Sequence, residues 1–211
     1  MFNYTADELK NFEKDVIEIF REGILPFAIH FSDGNEDQLI EIFREINDDD
    51  YVFSTHRSHY HYLLKGGRRE DLIDKIKNCK SMYVFDRRIK FITSSIVAGT
   101  CCIAAGVAFS LKLNGSPNKV WCFVGDGAED EGHFYEAVRY VENMQLPCIF
   151  IIEDNDRSVG SSKELRGSAY SVPWPKCVRR YHYVATMPHG GPGLKEVIAF
   201  NKEVVDRYGV H

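Results

Sequence analysis

The sequence has no excess of basic residues, no zinc-type cysteine spacing and no apolar run of membrane length. Of its 211 residues, 26 are Lys or Arg and 31 are Asp or Glu, a net charge of -5. That excludes a protein held to nucleic acid by a broad basic surface, though not a local phosphate pocket. The most apolar run, residues 96–111, is 16 residues long and padded with Ala, Gly, Cys, Thr and Ser. It is too short and too mild to span a bilayer. The opening MFNYTADELK lacks the charged-then-apolar pattern of a secretion signal. Neither a nucleic acid nor a membrane is expected as a partner, and the expected location is cytoplasmic. None of the six cysteines (Cys79, Cys101, Cys102, Cys122, Cys148 and Cys177) forms a Cys-x-x-Cys pair. Buried, reduced thiols are expected rather than a disulfide framework or a zinc site.

What is present is an alternation of helices and strands. Thr5-x-x-Glu8 has the form of a capping box for a helix over residues 7–22, with Leu9, Phe12, Val16, Ile19 and Phe20 in one stripe. Gly23 and Pro26 stop it. Further helices are expected over residues 36–46 and 68–78, the latter polar and on the surface, with a short strand at 51–53. Residues 95–113 read as a long helix of small residues, buried with close neighbours. Residues 119–124 (KVWCFV) form an apolar strand running into Gly125-Asp126-Gly127. A helix over 131–144 follows, with Phe134, Val138 and Val141 on one face, and then a second apolar strand at 147–152 (PCIFII) ending in Glu153-Asp154-Asn155. Neither strand alternates, which suits a sheet covered on both faces. The crossover makes a right-handed βαβ unit. A strand at 182–184 and an amphipathic helix over 194–208 complete the reading. The fold class is α/β, a mostly parallel sheet with helices on both faces.

In such sheets ligands bind beyond the carboxyl ends of the strands. Two polar clusters fall there, Gly125-Asp126-Gly127-Ala128 after one strand and Asp154-Asn155 after the next. A carboxylate with an amide oxygen is hard-oxygen ligation, suited to Mg²⁺ or Ca²⁺. The flanking glycines let backbone N–H groups approach a phosphate, and the helix N-terminus adds positive potential. Alone, Gly-Asp-Gly is compatible with an ordinary turn. The strand before it, the helix after it and the Asn at the end of the next strand favour a metal-bridged diphosphate site.

Gly125-Asp126-Gly127 with Asn155 matches the thiamine diphosphate motif. The chain further resembles the α subunit of the E1 component of 2-oxo acid dehydrogenases and acetoin dehydrogenase. The resemblance is carried by REGILPFAIHFSDGNED (21–37), YVFSTHRSHYHYLLKGG (51–67), SSIVAGTCCIAAGVAFSLKLNG (94–115) and VGDGAEDEGHFYEAVRYVENMQLPCIFIIEDN (124–155). It implies a single thiamine diphosphate-binding domain over residues 1–211 that ends, at His211, short of the family's C-terminal strand and His-containing loop. It also implies that Asp126, the Asn155 side chain and the Arg157 carbonyl bind Mg²⁺, and that Gly127 and Ala128, next to Gly125, offer N–H groups to the diphosphate. Arg57 would clamp the diphosphate beside His56, which replaces a family Tyr. Ser95, which replaces a Gly, and Val97 would hold the aminopyrimidine ring. His30 matches a histidine near the reacting centre. Tyr83 stands where the family usually has His.

The implied protein is the α-type subunit of a two-chain enzyme acting on a 2-oxo acid or an acetoin-like substrate, in an α2β2 assembly. It would be inactive without a β-type subunit, which supplies the pyrimidine domain and its Glu. A lipoyl-domain E2 is the expected acceptor if the reaction is oxidative. The alternatives are half of a transketolase-like carbon–carbon ligase split over two chains, and a non-catalytic relative that binds only cofactor or partner. Three further features have plainer readings. His56, His59 and His61 lack the spacing of a zinc site. Asp48-Asp49-Asp50 reads as a solvated turn, and Glu129-Asp130-Glu131 as carboxylates favoured by a helix start.

Overall fold

A computed structural model describes residues 4–22, 29–158, 161–167, 172–185, 189–190 and 197–198. Helix α1 (Ala6–Arg21) starts at the anticipated capping box: Glu8 N–H donates to Thr5 Oγ1 at 3.3 Å, and Thr5 N–H donates to Glu8 Oε2 at 2.8 Å. Its buried stripe is Leu9, Phe12, Val16, Ile17 and Phe20, and the carboxylate of Glu13 is buried with them. The remaining elements, in chain order, are β1 (Ile29–His30), α2 (Glu36–Phe43), β2 (Tyr51–Ser54), α3 (His59–Leu64), α4 (Arg69–Lys77), β3 (Phe85–Asp86), β4 (Phe91–Thr93), α5 (Cys101–Leu113) and β5 (Val120–Gly125). A 3₁₀ turn (Asp126–Asp130) leads to α6 (Gly132–Asn143), β6 (Cys148–Asp154), β7 (Arg157–Ser158), β8 (Ser161–Ser162), α7 (Lys163–Arg166), β9 (Val178–His182), β10 (His189–Gly190) and β11 (Val197–Ile198). No helix among the described residues is long and apolar enough to cross a membrane.

The chain divides into two compact units. One comprises Met1–Glu45, His56–Val84 and Val184–His211. It holds α1–α4 and a small antiparallel sheet in the order β1-β10-β11. The other comprises Ile46–Thr55 and Phe85–Tyr183 and holds a six-stranded sheet in the order β3-β4-β2-β5-β6-β9, parallel except for the β3–β4 pair. Its core joins α5 and α6 to one sheet face: Ala104, Ala105 and Ala108 meet Val120, Cys122, Val124, Phe134, Val138, Phe150 and Ile152. Phe134 packs edge-on to Phe150 with ring centroids 5.6 Å apart. Trp121, Phe123 and Ile151, on the opposite face, are buried as well. The sheet is therefore α/β and covered on both faces, which is why β5 and β6 show no alternation.

Four expectations are corrected. The helix of small residues starts at Cys101, because residues 94–100 form turns in which Ala98 adopts a left-handed φ of 53°. Only one face of α5 is buried; Ile103 is 53% and Leu113 69% exposed. Small residues allow close packing on one face without requiring it on the other. The last sheet strand is Val178–His182 rather than 182–184. Val197 and Ile198 pair with β10 as a strand rather than continuing a helix, as suits two β-branched residues. The rest of the helix expected over 194–208 lies outside the described residues.

The acidic run also divides. Asp48 and Asp49 are exposed, but Asp50 is fully buried. Asp50 accepts from the Lys119 N–H at 2.7 Å and from Trp121 Nε1–H at 3.1 Å, pinning the start of β5. All six cysteines are free; Cys101, Cys122 and Cys148 are buried, whereas Cys79 and Cys102 are exposed.

Candidate functional site

Strands β5 and β6 are neighbours in parallel register, Val124 opposite Ile152 and Gly125 opposite Glu153. Their carboxyl ends therefore bring Asp126 level with Asp154, the residue before Asn155. Asp126 opens the 3₁₀ turn and is only 1% exposed. Its Oδ2 accepts from Arg166 Nη2 at 2.6 Å, while its buried Oδ1 has no hydrogen-bond partner among the described residues. Burial pushes this carboxyl above its ordinary value, against the pull of Arg166.

The two glycines of the motif differ in what they face. A Cβ on Gly127 would lie 2.3 Å from Ser158 Oγ, so the close approach of β7 to the turn demands glycine there. A Cβ on Gly125 would meet nothing within 4 Å, leaving open space beside the start of the turn. Gly127 and Ala128 are buried within the turn. Asn155 Oδ1 accepts from the Arg157 N–H at 3.2 Å, and Asp156 between them has a left-handed φ of 61°. Aspartate tolerates that conformation better than most residues, and it reverses the chain between Asn155 and Arg157.

A set of ion pairs around these tips was not anticipated from the sequence. Arg166 also donates from Nε to Asp130 Oδ2 at 2.8 Å and from Nη1 to the Ser161 carbonyl at 2.8 Å. Lys163 pairs with Asp154, and Arg180 pairs with both Glu129 and Asp154. Burial acts to raise Asp154, but Lys163, the Asp156 N–H and Arg180 together hold it below the ordinary value. Trp174 Nε1–H donates to Glu129 Oε1 at 2.7 Å. Glu129 and Asp130, read from sequence as helix-start carboxylates, are thus partners of Arg180 and Arg166. The only sequence signal was an acid-rich turn followed by a basic segment.

In the same unit, Ser95 and Val97 lie in the turns before α5. The Val97 carbonyl accepts from His133 Nε2–H at 3.0 Å, and the left-handed Ala98 follows it.

His30, His56 and Arg57 belong to the other unit. Arg57 donates from Nη1 to the Phe31 carbonyl. The His30 and His56 rings meet edge-on, centroids 4.4 Å apart. Burial, then the Arg57 charge, lowers His30 from 6.5 to about 4; burial, then His30 and Arg57, lowers His56 to about 3. Both rings are neutral near pH 7, while in the unfolded chain both protonate near 6.5. Below that pH the unfolded state binds more protons, so stability is complete above about 6.5 and falls as the pH drops toward 4 and 3. Urea denaturation of His56→Gln is expected to show a shallower loss over this window than the wild type; an identical slope would remove His56 from the account.

The neighbouring histidines are structural in their contacts. His59 is fully buried, with Nδ1 2.9 Å from Glu13 Oε1 and Nε2 2.9 Å from Ser81 Oγ. His61 is buried edge-on to Phe43. Among the described residues no group of three or more His, Cys, Asp or Glu is arranged to hold a metal ion. A set made of Asp126, an amide oxygen and a main-chain carbonyl contains one residue of those types.

A family model described as "Dehydrogenase E1 component" matches residues 4–172. The α subunit of acetoin:2,6-dichlorophenolindophenol oxidoreductase from Bacillus subtilis is 30% identical over 185 residues, 79% of this chain and 56% of that protein. The α subunit of the pyruvate dehydrogenase E1 component from Rickettsia bellii is 30% identical over 164 residues, 73% of this chain and 50% of that protein. The mitochondrial counterpart from Dictyostelium discoideum is 27% identical over 182 residues, covering 82% and 47%. The chain spans about half the length of these curated relatives. The family match takes in β5, β6 and both loop tips at their ends, so fold and sequence agree on one assignment: the chain belongs to the dehydrogenase E1 component family.

Proposed function

We propose that this chain is the diphosphate-binding, α-type half of a two-chain enzyme that uses thiamine diphosphate and Mg²⁺ on a 2-oxo acid or acetoin-like substrate. The observation that carries the reading is the buried Asp126 carboxylate, whose Oδ1 lacks a partner among the described residues at the end of β5, while Asn155 follows directly on the adjacent strand. A buried carboxylate oxygen left unsatisfied is costly, and a hard cation is the ligand that satisfies it. The donor set of carboxylate, amide oxygen and main-chain carbonyl suits Mg²⁺, which favours oxygen ligands alongside a substrate phosphate. The names of the relatives support the α-subunit reading and, through it, a β-type partner.

In this reading Asp126, the Asn155 side chain and the Arg157 carbonyl hold the metal. Gly127 and Ala128 would offer their N–H groups to the diphosphate, and Gly125, where a Cβ would meet nothing within 4 Å, would leave room beside it. Arg57 contributes a forked guanidinium to the diphosphate. Ser95 and Val97 support the aminopyrimidine side. His56 stands beside Arg57 on the cofactor side and His30 on the substrate side, both as neutral imidazoles able to donate or accept without carrying charge. Bound thiamine diphosphate supplies a carbon nucleophile and an electron sink for breaking the bond next to a carbonyl. The pyrimidine half of the site is assigned to a β-type subunit, and a lipoyl-domain E2 is the acceptor in the oxidative version.

Calorimetric titration of the chain with thiamine diphosphate tests this. Saturable binding is expected with Mg²⁺ present and its loss is expected after chelation with EDTA; binding indifferent to the metal, or none, overturns the reading. Turnover of a 2-oxo acid or acetoin is expected only after a β-type subunit is added.

A further inference from the structure

Arg166 is the most constrained cation near the candidate metal site. It comes from the short helix α7, and its side chain is 14% exposed. All three guanidinium nitrogens are used: Nη2 on Asp126 Oδ2 at 2.6 Å, Nε on Asp130 Oδ2 at 2.8 Å and Nη1 on the Ser161 carbonyl at 2.8 Å. Asp126 is consequently held by one oxygen, with the other buried and unpartnered among the described residues. Two roles are compatible with a cation on a metal-binding carboxylate. It can stand in for the metal and leave when the metal arrives, or it can stay and aim the carboxylate.

The geometry decides between them. A stand-in cation would take the oxygen the metal needs, or both; Arg166 takes one and leaves the other bare. Leaving would also break three hydrogen bonds, two of them to carboxylates, and charge-assisted bonds are roughly twice as strong as neutral ones. Carboxylates that bind metals are themselves commonly hydrogen-bonded from behind, which fixes their direction.

Building on the proposed metal site, we infer that Arg166 is a positioning residue that stays in place behind Asp126 and presents Asp126 Oδ1 to the divalent cation. Asp130 and the Ser161 carbonyl fix the guanidinium so that it enters the site already oriented. Lys163, one turn earlier in α7, ties the same helix to Asp154 at the end of β6. Helix α7 thereby braces both tips from one side. The pairing is not readable from local sequence, because Arg166 lies 40 residues beyond Asp126.

The test is titration of the intact chain with Mg²⁺ and, separately, Ca²⁺, at saturating thiamine diphosphate, for wild type, Arg166→Gln, Arg166→Lys and Asp126→Ala. Mg²⁺ demands near-ideal octahedral geometry, whereas Ca²⁺ accepts irregular sites. Loss of aim should therefore weaken Mg²⁺ by about 10- to 100-fold, the usual effect of removing an outer partner, and Ca²⁺ by much less. Arg166→Lys keeps the charge but not the fork and should recover only part of the Mg²⁺ affinity. A merely structural role would weaken both ions equally, and that result overturns the inference. Unchanged or tighter Mg²⁺ binding in Arg166→Gln also overturns it, since a competing cation behaves that way. Asp126→Ala separates the two layers: if it binds metal like the wild type, the metal site itself is wrong, whereas if it fails while Arg166→Gln is unaffected, only the inference about Arg166 is wrong.

Discussion

Replacing Asp126 with alanine is expected to weaken Mg²⁺-dependent thiamine diphosphate binding by more than about 100-fold, since loss of an outer-layer partner alone typically costs up to that much. Place and charge act together at this residue. The residue sits at the end of a central strand, is 1% exposed, and keeps one carboxylate oxygen without a partner among the described residues. Folding is not expected to suffer in proportion. Arg166 retains Asp130 and the Ser161 carbonyl when Asp126 is lost, so no buried charge is stranded. Burial holds the carboxyl above its ordinary value against the pull of Arg166, so a divalent cation at Oδ1 would offset a cost that burial imposes. Asp126→Asn is the sharper control: it keeps the shape and an oxygen but removes the charge, and a weaker yet measurable Mg²⁺ affinity is expected. Calorimetry in parallel with thermal melting separates binding from folding. An Asp126→Ala variant that binds thiamine diphosphate with wild-type metal dependence would remove the residue from the site.

How far the sequence discloses this arrangement depends on the range of the interactions. The capping box at Thr5, the apolar strands β5 and β6 and the βαβ unit between them are set by neighbours within a few residues, and they form close to their expected boundaries. The two loop tips follow from that unit, because adjacent parallel strands must end side by side. What stayed hidden depends on partners far along the chain. Asp50 reads as one of three solvated acids until Lys119 and Trp121 are folded onto it. The pairing of Arg166 with Asp126 and of Arg180 with Glu129 depends on how the segment after β6 returns to the sheet. Strand β4 is three residues long and carries no pattern of its own; it is fixed by pairing with β2. The break before α5 is set by a left-handed Ala98, a conformation that the residue type argues against.

Glu13→Ala is expected to be the most damaging substitution for stability in the first unit. Glu13 is 0% exposed on the apolar stripe of α1, where a carboxylate is out of place unless it is fully engaged. It is engaged twice: Oε1 accepts from the Ser32 N–H at 2.8 Å and lies 2.9 Å from His59 Nδ1, with Oε2 3.1 Å from the same ring nitrogen. His59 passes the connection on to Ser81 Oγ at 2.9 Å, so one carboxylate ties α1 to the segments carrying residues 32, 59 and 81. Alanine would leave a buried backbone N–H and a buried ring N–H without acceptors, and a cavity where the side chain stood. Leaving buried donors unpaired costs about 1–3 kcal/mol each, and for a chain of this size the loss of both corresponds to a fall of about 10 °C in melting temperature. Glu13→Gln keeps an acceptor for one of the two donors and should cost less. His59→Ala and Glu13→Ala should also be strongly non-additive, because each removes the same contact. Equal and additive losses in that cycle, measured by urea denaturation, would show that Glu13 is held by packing alone and that the Glu13–His59–Ser81 chain contributes nothing of its own.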